Sequence, residues 1–278
     1  MDGIILINKP AGMTSHDVVN RIRKILKTKK VGHCGTLDPD ATGVLVLCIN
    51  KATKALQFLM SEEKEYIATL SLGTATDTYD ASGTVLESKE FTGVDHVEEV
   101  LQSFLGFQKQ LPPIYSAIKV NGKKLYEYAR NNEEVEIQPR NIEIKKIELL
   151  SQENNEITFK VQCSKGTYIR SLCVDIANKL GYPGHMSHLI RSQSGHFKLE
   201  DCVTLDDVEL GNYHMLSLEE AFVSFEKYII EDEKIVYHGK MIESNIDHQV
   251  VVINNKEKVL AVYGPDGHGH LKSIRGLF

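Results

Sequence analysis

Gly32-His33-Cys34-Gly35-Thr36-Leu37-Asp38-Pro39-Asp40-Ala41-Thr42-Gly43, followed without a break by Val44-Leu45-Val46-Leu47-Cys48-Ile49, is the stretch on which the fold turns. The six apolar residues read as a fully buried strand, and that strand anchors the loop before it. Within the loop, glycines permit backbone angles closed to other residues, and Pro39 biases Asp38 toward an extended conformation, so its carboxylate is held at one angle. Reactive groups are commonly carried on loops fixed by a rigid scaffold. An ordinary Asp-Pro turn, with the carboxylate bonding its own backbone, has the same composition. The loop by itself leaves both readings open.

Outward from the loop, Ile4 to Ile7 reads as a strand. Ser15 and Asp17 then mark the start of a helix with Val18, Val19, Ile22, Ile25 and Leu26 on one face. A second helix is predicted over 53–60 and a strand over 66–72. An amphipathic helix follows over 95–105, ending near Gly106. Residues 115–120 read as a strand closed by Asn121-Gly122, with a short helix over 125–130. Residues 142–150 and 157–163 alternate in the strand period around Asn154-Asn155, a hairpin signal. A helix is expected over 167–180, capped by Gly181. Strands and helices do not alternate strictly, which favours an α+β fold with a mixed, largely antiparallel sheet over a doubly wound parallel one. Beyond about Phe225 the texture becomes short β segments, a small β-rich appendage.

A chain of 278 residues is long enough for more than one domain. Its 42% hydrophobic and 25% charged content is ordinary for a soluble protein. No apolar run approaches the ~18 residues of a membrane span, and Ile4 to Ile7 is too short for a signal-peptide core, so a cytoplasmic protein is expected. The five cysteines form no C-x-x-C pair, which argues against structural zinc and a disulfide framework and for reduced thiols. Asp77 and Asp80 lack calcium-loop spacing, and Gly32 to Gly43 does not fit a phosphate loop. No metal site is expected. Net charge is -6, but residues 1 to 60 carry nine Lys/Arg against four Asp, a local +5. That asymmetry predicts a basic face around the loop, although a solvated helix face accounts equally for Arg21 to Lys30.

The string GHCGTLDPDATGVL resembles the catalytic motif of the TruB-type tRNA pseudouridine synthases. The resemblance continues in family order through NKPAGMTS (8–15), KEY (64–66), GTATDTYD (73–80), PIYSAIK (113–119), GKKLYEYAR (122–130) and CSKGTYIR (163–170). It implies a catalytic domain over 1–225 and, from position and texture alone, a C-terminal module over 226–278 similar to PUA RNA-binding domains. The implied activity is isomerisation of uridine 55 in the T-loop of tRNA to pseudouridine, with the target base flipped out. The implied partner is the tRNA T-arm, with no membrane, no obligatory protein partner and a monomeric enzyme.

Pseudouridine formation breaks the N1–C1′ bond, rotates the uracil and makes a C5–C1′ bond without net redox change, so it requires no cofactor. By the resemblance Asp38 is the catalytic nucleophile at C1′. Removal of the C2′ proton by the same carboxylate stays open at this stage. Arg170 falls in the first turn of its predicted helix, where a cation opposes the helix dipole and calls for an acidic partner. The resemblance makes that partner Asp38. It also makes Tyr66 the residue that stacks on the target base and handles the C5 proton, and Tyr168 and Leu189 the walls of the uridine pocket. His33 reads either as a structural histidine bonded to backbone or, by the resemblance, as the group that takes stacking space when the uridine leaves. A thiol nucleophile at Cys34 lacks the motifs that would accompany it.

Three rival functions fit the sequence less well. A related synthase aimed at another RNA through a protein assembly fits less well with a compact chain lacking long basic tails. An RNA-binding protein without chemistry does not need Asp38, Tyr66 and Arg170 together. A glycosidase built on Asp38 and Asp40 fails because residues i and i+2 lie only about 7 Å apart in extended chain, and the sequence contains no Trp. Asp40 is left as loop structure.

Overall fold

From the N-terminus, β1 (Gly3–Lys9) leads into α1 (Ser15–Ile25), β2 (Val31–His33) and β3 (Thr42–Ile49). The computed structural model describes residues 2–60 and 62–278. Residues Val44 to Ile49 of β3 are all buried, as their composition demands. β3 lies between β1 and β2, and His33 pairs with Leu47. α1 begins one residue before Ser15 in its capping: the Thr14 hydroxyl accepts from Asp17 N and the Asp17 carboxylate accepts from Thr14 N, a reciprocal cap. The helix predicted over 53–60 is instead a 3-10 turn over Asn50–Ala55 followed by the single turn α2 (Leu56–Leu59). Thr53 explains the tighter winding, because its hydroxyl donates to the Asn50 carbonyl at 2.6 Å and competes with the α-helical bond.

The middle of the chain contributes β4 (Lys64–Leu72), β5 (Thr74–Thr76), β6 (Val85–Ser88), α3 (Val97–Gln102), β7 (Gly106–Gln110), β8 (Lys119–Val120), β9 (Lys123–Lys124), α4 (Leu125–Arg130), β10 (Arg140–Glu153), β11 (Glu156–Cys163), α5 (Ile169–Lys179) and β12 (Gly184–Ser194). β12, β4, β11, β10 and β7 form consecutive antiparallel pairs, and Ile190 and Arg191 of β12 pair in parallel with Thr42 and Gly43. This is the expected mixed, largely antiparallel sheet with helices, an α+β fold. Asn154 takes the left-handed backbone (φ 52°) that closes the β10–β11 hairpin. α3 is shorter than the predicted 95–105 helix. The predicted strand over 115–120 reduces to β8, because the Tyr115 carbonyl is bonded to Arg170 rather than to a neighbouring strand.

The last third supplies β13 (Phe197–Lys198), α6 (Leu205–Leu210), α7 (Leu218–Ala221), β14 (Lys227–Ile230), α8 (Glu233–Tyr237), β15 (Ile242–Glu243), β16 (Val250–Asn254), β17 (Val259–Pro265) and β18 (His270–Gly276). The final five strands form a sheet in the order β14-β16-β17-β18-β15. Its centre is covered on both faces: Val250 and Val252 join a cluster with Leu260 and Leu271, while Val251 and Ile253 join Ile4, Val44, Val46 and Phe222. Successive strand residues point to opposite faces, so the apolar run Val250 to Ile253 is what a doubly covered strand requires.

The chain forms two compact units, one of residues 1–39, 44–61 and 196–278, the other of 40–43 and 62–195. Among the described residues no helix is long and apolar enough to cross a membrane. None of the five cysteines is in a disulfide.

Candidate active site

In the first unit, Asp38 is half-buried and its two neighbours are fixed through their backbones. On one side the Ser15 hydroxyl accepts from Leu37 N at 2.9 Å and lies 3.2 Å from Leu37 O. On the other, the Lys9 ammonium donates to the Pro39 carbonyl at 2.7 Å. The same ammonium donates to the carbonyls of Pro10 (2.8 Å) and Met13 (2.6 Å), and Lys9 is fully buried. A buried charge is tolerated only when its hydrogen-bonding capacity is met, so Lys9 ties the end of β1 and the turn after it to the loop. Ser15 is the first residue of α1, which brings the positive end of that helix to the same loop. The rest of the loop is set by Gly35, with φ of 98°, and by Cys34 N donating to Val46 O at 2.9 Å. His33 closes β2, half-buried.

In the second unit, Arg170 is the second residue of α5 and is 7% exposed. Its guanidinium donates to the carbonyls of Thr78 and Tyr115, both at 3.0 Å, and pairs with the Asp80 carboxylate at 3.4 Å. The acidic partner demanded by the first-turn position is therefore met within this unit by Asp80. Asp80 also shapes its own turn. Its other oxygen accepts from Thr78 Oγ1 (2.7 Å), Ser82 Oγ (2.6 Å) and Ser82 N (3.1 Å), which aims the second toward the arginine. Asp77 likewise closes its own turn through Thr84 N (2.7 Å), and also accepts from Tyr115 OH at 3.3 Å. Burial, and then the Asp77 carboxylate, push the Tyr115 phenol up from its ordinary range, so it stays a neutral donor.

Tyr168, half-buried, precedes α5 and is clamped by Gln110, whose amide accepts from Tyr168 N (2.8 Å) and donates to Tyr168 O (3.0 Å). Tyr66 lies on β4 opposite Arg191 of β12, and Leu189 lies opposite Ala68. Opposed residues of an antiparallel pair share a face, so Tyr66, Ala68, Leu189 and Arg191 stand on the same side of the sheet, with Tyr66 and Leu189 on the diagonal. Leu189 is 8% and Arg191 1% exposed. Close approach enforces Gly43 here: with φ of 105°, a side chain would place its Cβ 2.3 Å from Arg191 O.

The structure thus groups Tyr66 with Leu189, and Arg170 with Thr78, Asp80 and Tyr115, in the second unit, while His33 and Asp38 belong to the first. Asp38 stands two residues before the chain passes from one unit to the other. Lys9, Ser15, Asp80 and Arg191 were missed as site residues. Lys9 left a usable trace, a lysine directly after an apolar strand and before proline. Among the described residues no cluster of His, Cys, Asp or Glu could hold a metal ion.

Residues 23–169 match the TruB family pseudouridylate synthase N-terminal domain, and residues 170–229 the tRNA pseudouridylate synthase B C-terminal domain. The tRNA pseudouridine synthase B of Bacillus cereus (strain ATCC 10987) is 43% identical over 299 residues, covering 100% of this chain and 97% of its own. That of Bacillus subtilis is 45% identical over 291 residues, covering 95% and 93%. Among solved structures, a chain of a Cbf5-Nop10-Gar1 complex superposes with a TM-score of 0.78 at 28% identity, covering 99% of this chain and 85% of that one.

Proposed function

Because the chain belongs to the TruB family of pseudouridylate synthases, we propose that it isomerises uridine 55 in the T-loop of tRNA to pseudouridine, with Asp38 as the nucleophile. The observation that supports the Asp38 assignment is the double backbone clamp, Ser15 on Leu37 and Lys9 on Pro39, on either side of a half-buried carboxylate. A nucleophile gains most from being held in attack geometry.

In the proposed reaction the target uridine is flipped from the loop, with His33 taking the vacated stacking space. Asp38 attacks C1′ as the C1′–N1 bond breaks, giving a glycosyl ester and a uracil anion. The uracil turns between Tyr66 and the walls made by Tyr168 and Leu189. C5 then attacks C1′ and releases the carboxylate. The C5 proton leaves by way of Tyr66, N1 ends protonated, and atoms and charge balance with no change of oxidation state. Arg170, held by Asp80 and two carbonyls, supplies the cation that keeps Asp38 ionised. No cofactor takes part in this scheme. The enzyme is proposed to act as a cytoplasmic monomer without an obligatory protein partner. We also propose residues 1–225 as the catalytic domain and 226–278 as an RNA-binding module, a division supported by the five-stranded sheet whose first strand begins at Lys227.

The test is tritium release from an unmodified tRNA transcript labelled at uracil C5. Release by the wild type and none by Asp38→Asn, with RNA binding retained, is expected. Absence of release by the wild type refutes the activity, and normal turnover by Asp38→Asn refutes the nucleophile.

A further inference from the structure

We propose that a basic cavity at the far end of β1 docks the phosphate backbone of a double-stranded stem of the substrate RNA, remote from the loop that carries the target uridine. The proposal rests on the tRNA reading above.

The cavity has a volume of about 920 Å3 and lies wholly within the first unit. Six cations line it: Lys27, Lys29 and Lys30 from the segment after α1, Lys51 and Lys54 from the 3-10 turn after β3, and Arg275 from β18. The one acidic residue in its lining is Asp2. In a chain of net charge -6 this is a local concentration of positive charge. Among the described residues, Lys27, Lys29, Lys30, Lys51 and Arg275 are exposed and none is in an ion pair, whereas Lys54 is already bonded to the Phe278 carbonyl.

A helix C-terminus attracts cations, which accounts for lysines just beyond α1. It does not account for Lys51, at the start rather than the end of a 3-10 turn, or for Arg275, on a strand. The lysine-bearing segments are also fixed to each other, since Thr28 Oγ1 donates to Asn50 Oδ1 at 2.6 Å and Asn50 N donates to Lys30 O at 2.7 Å. The charges are thus held together before any ligand arrives.

Chemistry and distance define the occupant. The lining contains no aromatic and no large apolar residue, so it offers nothing on which an unpaired base could stack and suits backbone phosphate alone. Asp2 lines the cavity, while Lys9, seven residues on, bonds Pro39 beside Asp38. At a strand rise of about 3.3 Å per residue the two ends of β1 are on the order of 20 Å apart. That separation corresponds to several base-pair steps of an RNA duplex. The basic face expected around the reactive loop therefore lies instead at a distance from it, where a neighbouring stem would reach.

The test compares a full-length tRNA transcript with an isolated T-arm hairpin, using the whole chain and fluorescence-anisotropy affinities at several salt concentrations. The triple variant Lys29→Glu, Lys30→Glu, Lys51→Glu is expected to bind full-length tRNA at least about tenfold more weakly and to lower its log–log salt slope by about two to three. Its affinity for the hairpin is expected to stay within about twofold, which also shows that the variant is folded. Arg275→Glu, a second and independent probe, is expected to weaken tRNA binding by about threefold in the same selective way. Equal losses on the two RNAs with both variants, or unchanged affinity and slope on full-length tRNA, overturn the proposal. A wild type that binds tRNA but releases no tritium refutes the activity and leaves this affinity comparison intact.

Discussion

Around Asp38 it is the backbone of the neighbouring residues that is held, by Ser15 on Leu37 and by Lys9 on Pro39; in the second unit it is the Arg170 side chain itself that is held, by two carbonyls and the Asp80 carboxylate. The difference follows from what each group is proposed to do. A nucleophile gains most from a fixed direction of attack, which the chain on either side of it supplies. A guanidinium acts as an oriented charge and can spend several of its five donors on being oriented.

The sharpest way to break this comparison is Asp38→Asn. We expect kcat for tritium release to fall by at least about 10⁴-fold while tRNA affinity changes by less than about twofold. A loss shared between kcat and binding places Asp38 in RNA recognition. Next is Lys9→Met, which keeps the length of the chain and removes the charge. Three carbonyls lose the donor of a fully buried side chain, so unfolding in urea should show a loss of about 2–4 kcal/mol. Displacement of the loop should lower kcat by about a hundredfold. Retained stability and retained kcat together would mean that the clamp does not position Asp38.

Asp80→Asn tests the other region. The amide keeps a hydrogen bond to Arg170 and loses the charge, so kcat should fall by about tenfold, less than in Lys9→Met. Reversal of that order, measured on the same transcript, removes the distinction between backbone and side-chain clamping.

The smallest effect belongs to a group outside both regions. His248 lies 2.7 Å from Glu226 and 3.1 Å from Asp247, and hydrogen bonds to Asp247 and then Glu226 raise its pKa above 6.5. A raised folded-state pKa gives stability that is complete below the unfolded value and disappears as pH rises through the folded one. Tm of the wild type should therefore decline slightly from pH 6 upward relative to His248→Gln, with kcat the same in both. Parallel pH profiles of Tm would discount the pair.

The comparison also marks what could be read in advance. Asp38 was legible because glycine, proline and a following apolar strand are local signals. Leu189 was legible only through family resemblance, since β12 mixes His185, Ser187, His188 and Arg191 with its apolar residues and gave no periodic signal of its own. The strand is held by pairing on both sides, with β4 and with Thr42 and Gly43, rather than by its own propensity. Asp80 was missed as a partner of Arg170 because ninety residues separate them, and a carboxylate between Thr78 and Ser82 already has a sufficient local explanation in turn bonding.

By itself the sequence determined the family, the α+β class, the buried strand β3 and the loop in front of it, because these rest on apolar periodicity and backbone restrictions that act within a few residues. The tertiary structure alone decided that Lys9 is buried with its ammonium on three carbonyls, that Asp80 faces Arg170, and that lysines from two segments meet Arg275 in one cavity. Hydrogen bonds and charge clusters depend on which distant segments the sheet and core bring to hydrogen-bonding distance, and no local pattern encodes that.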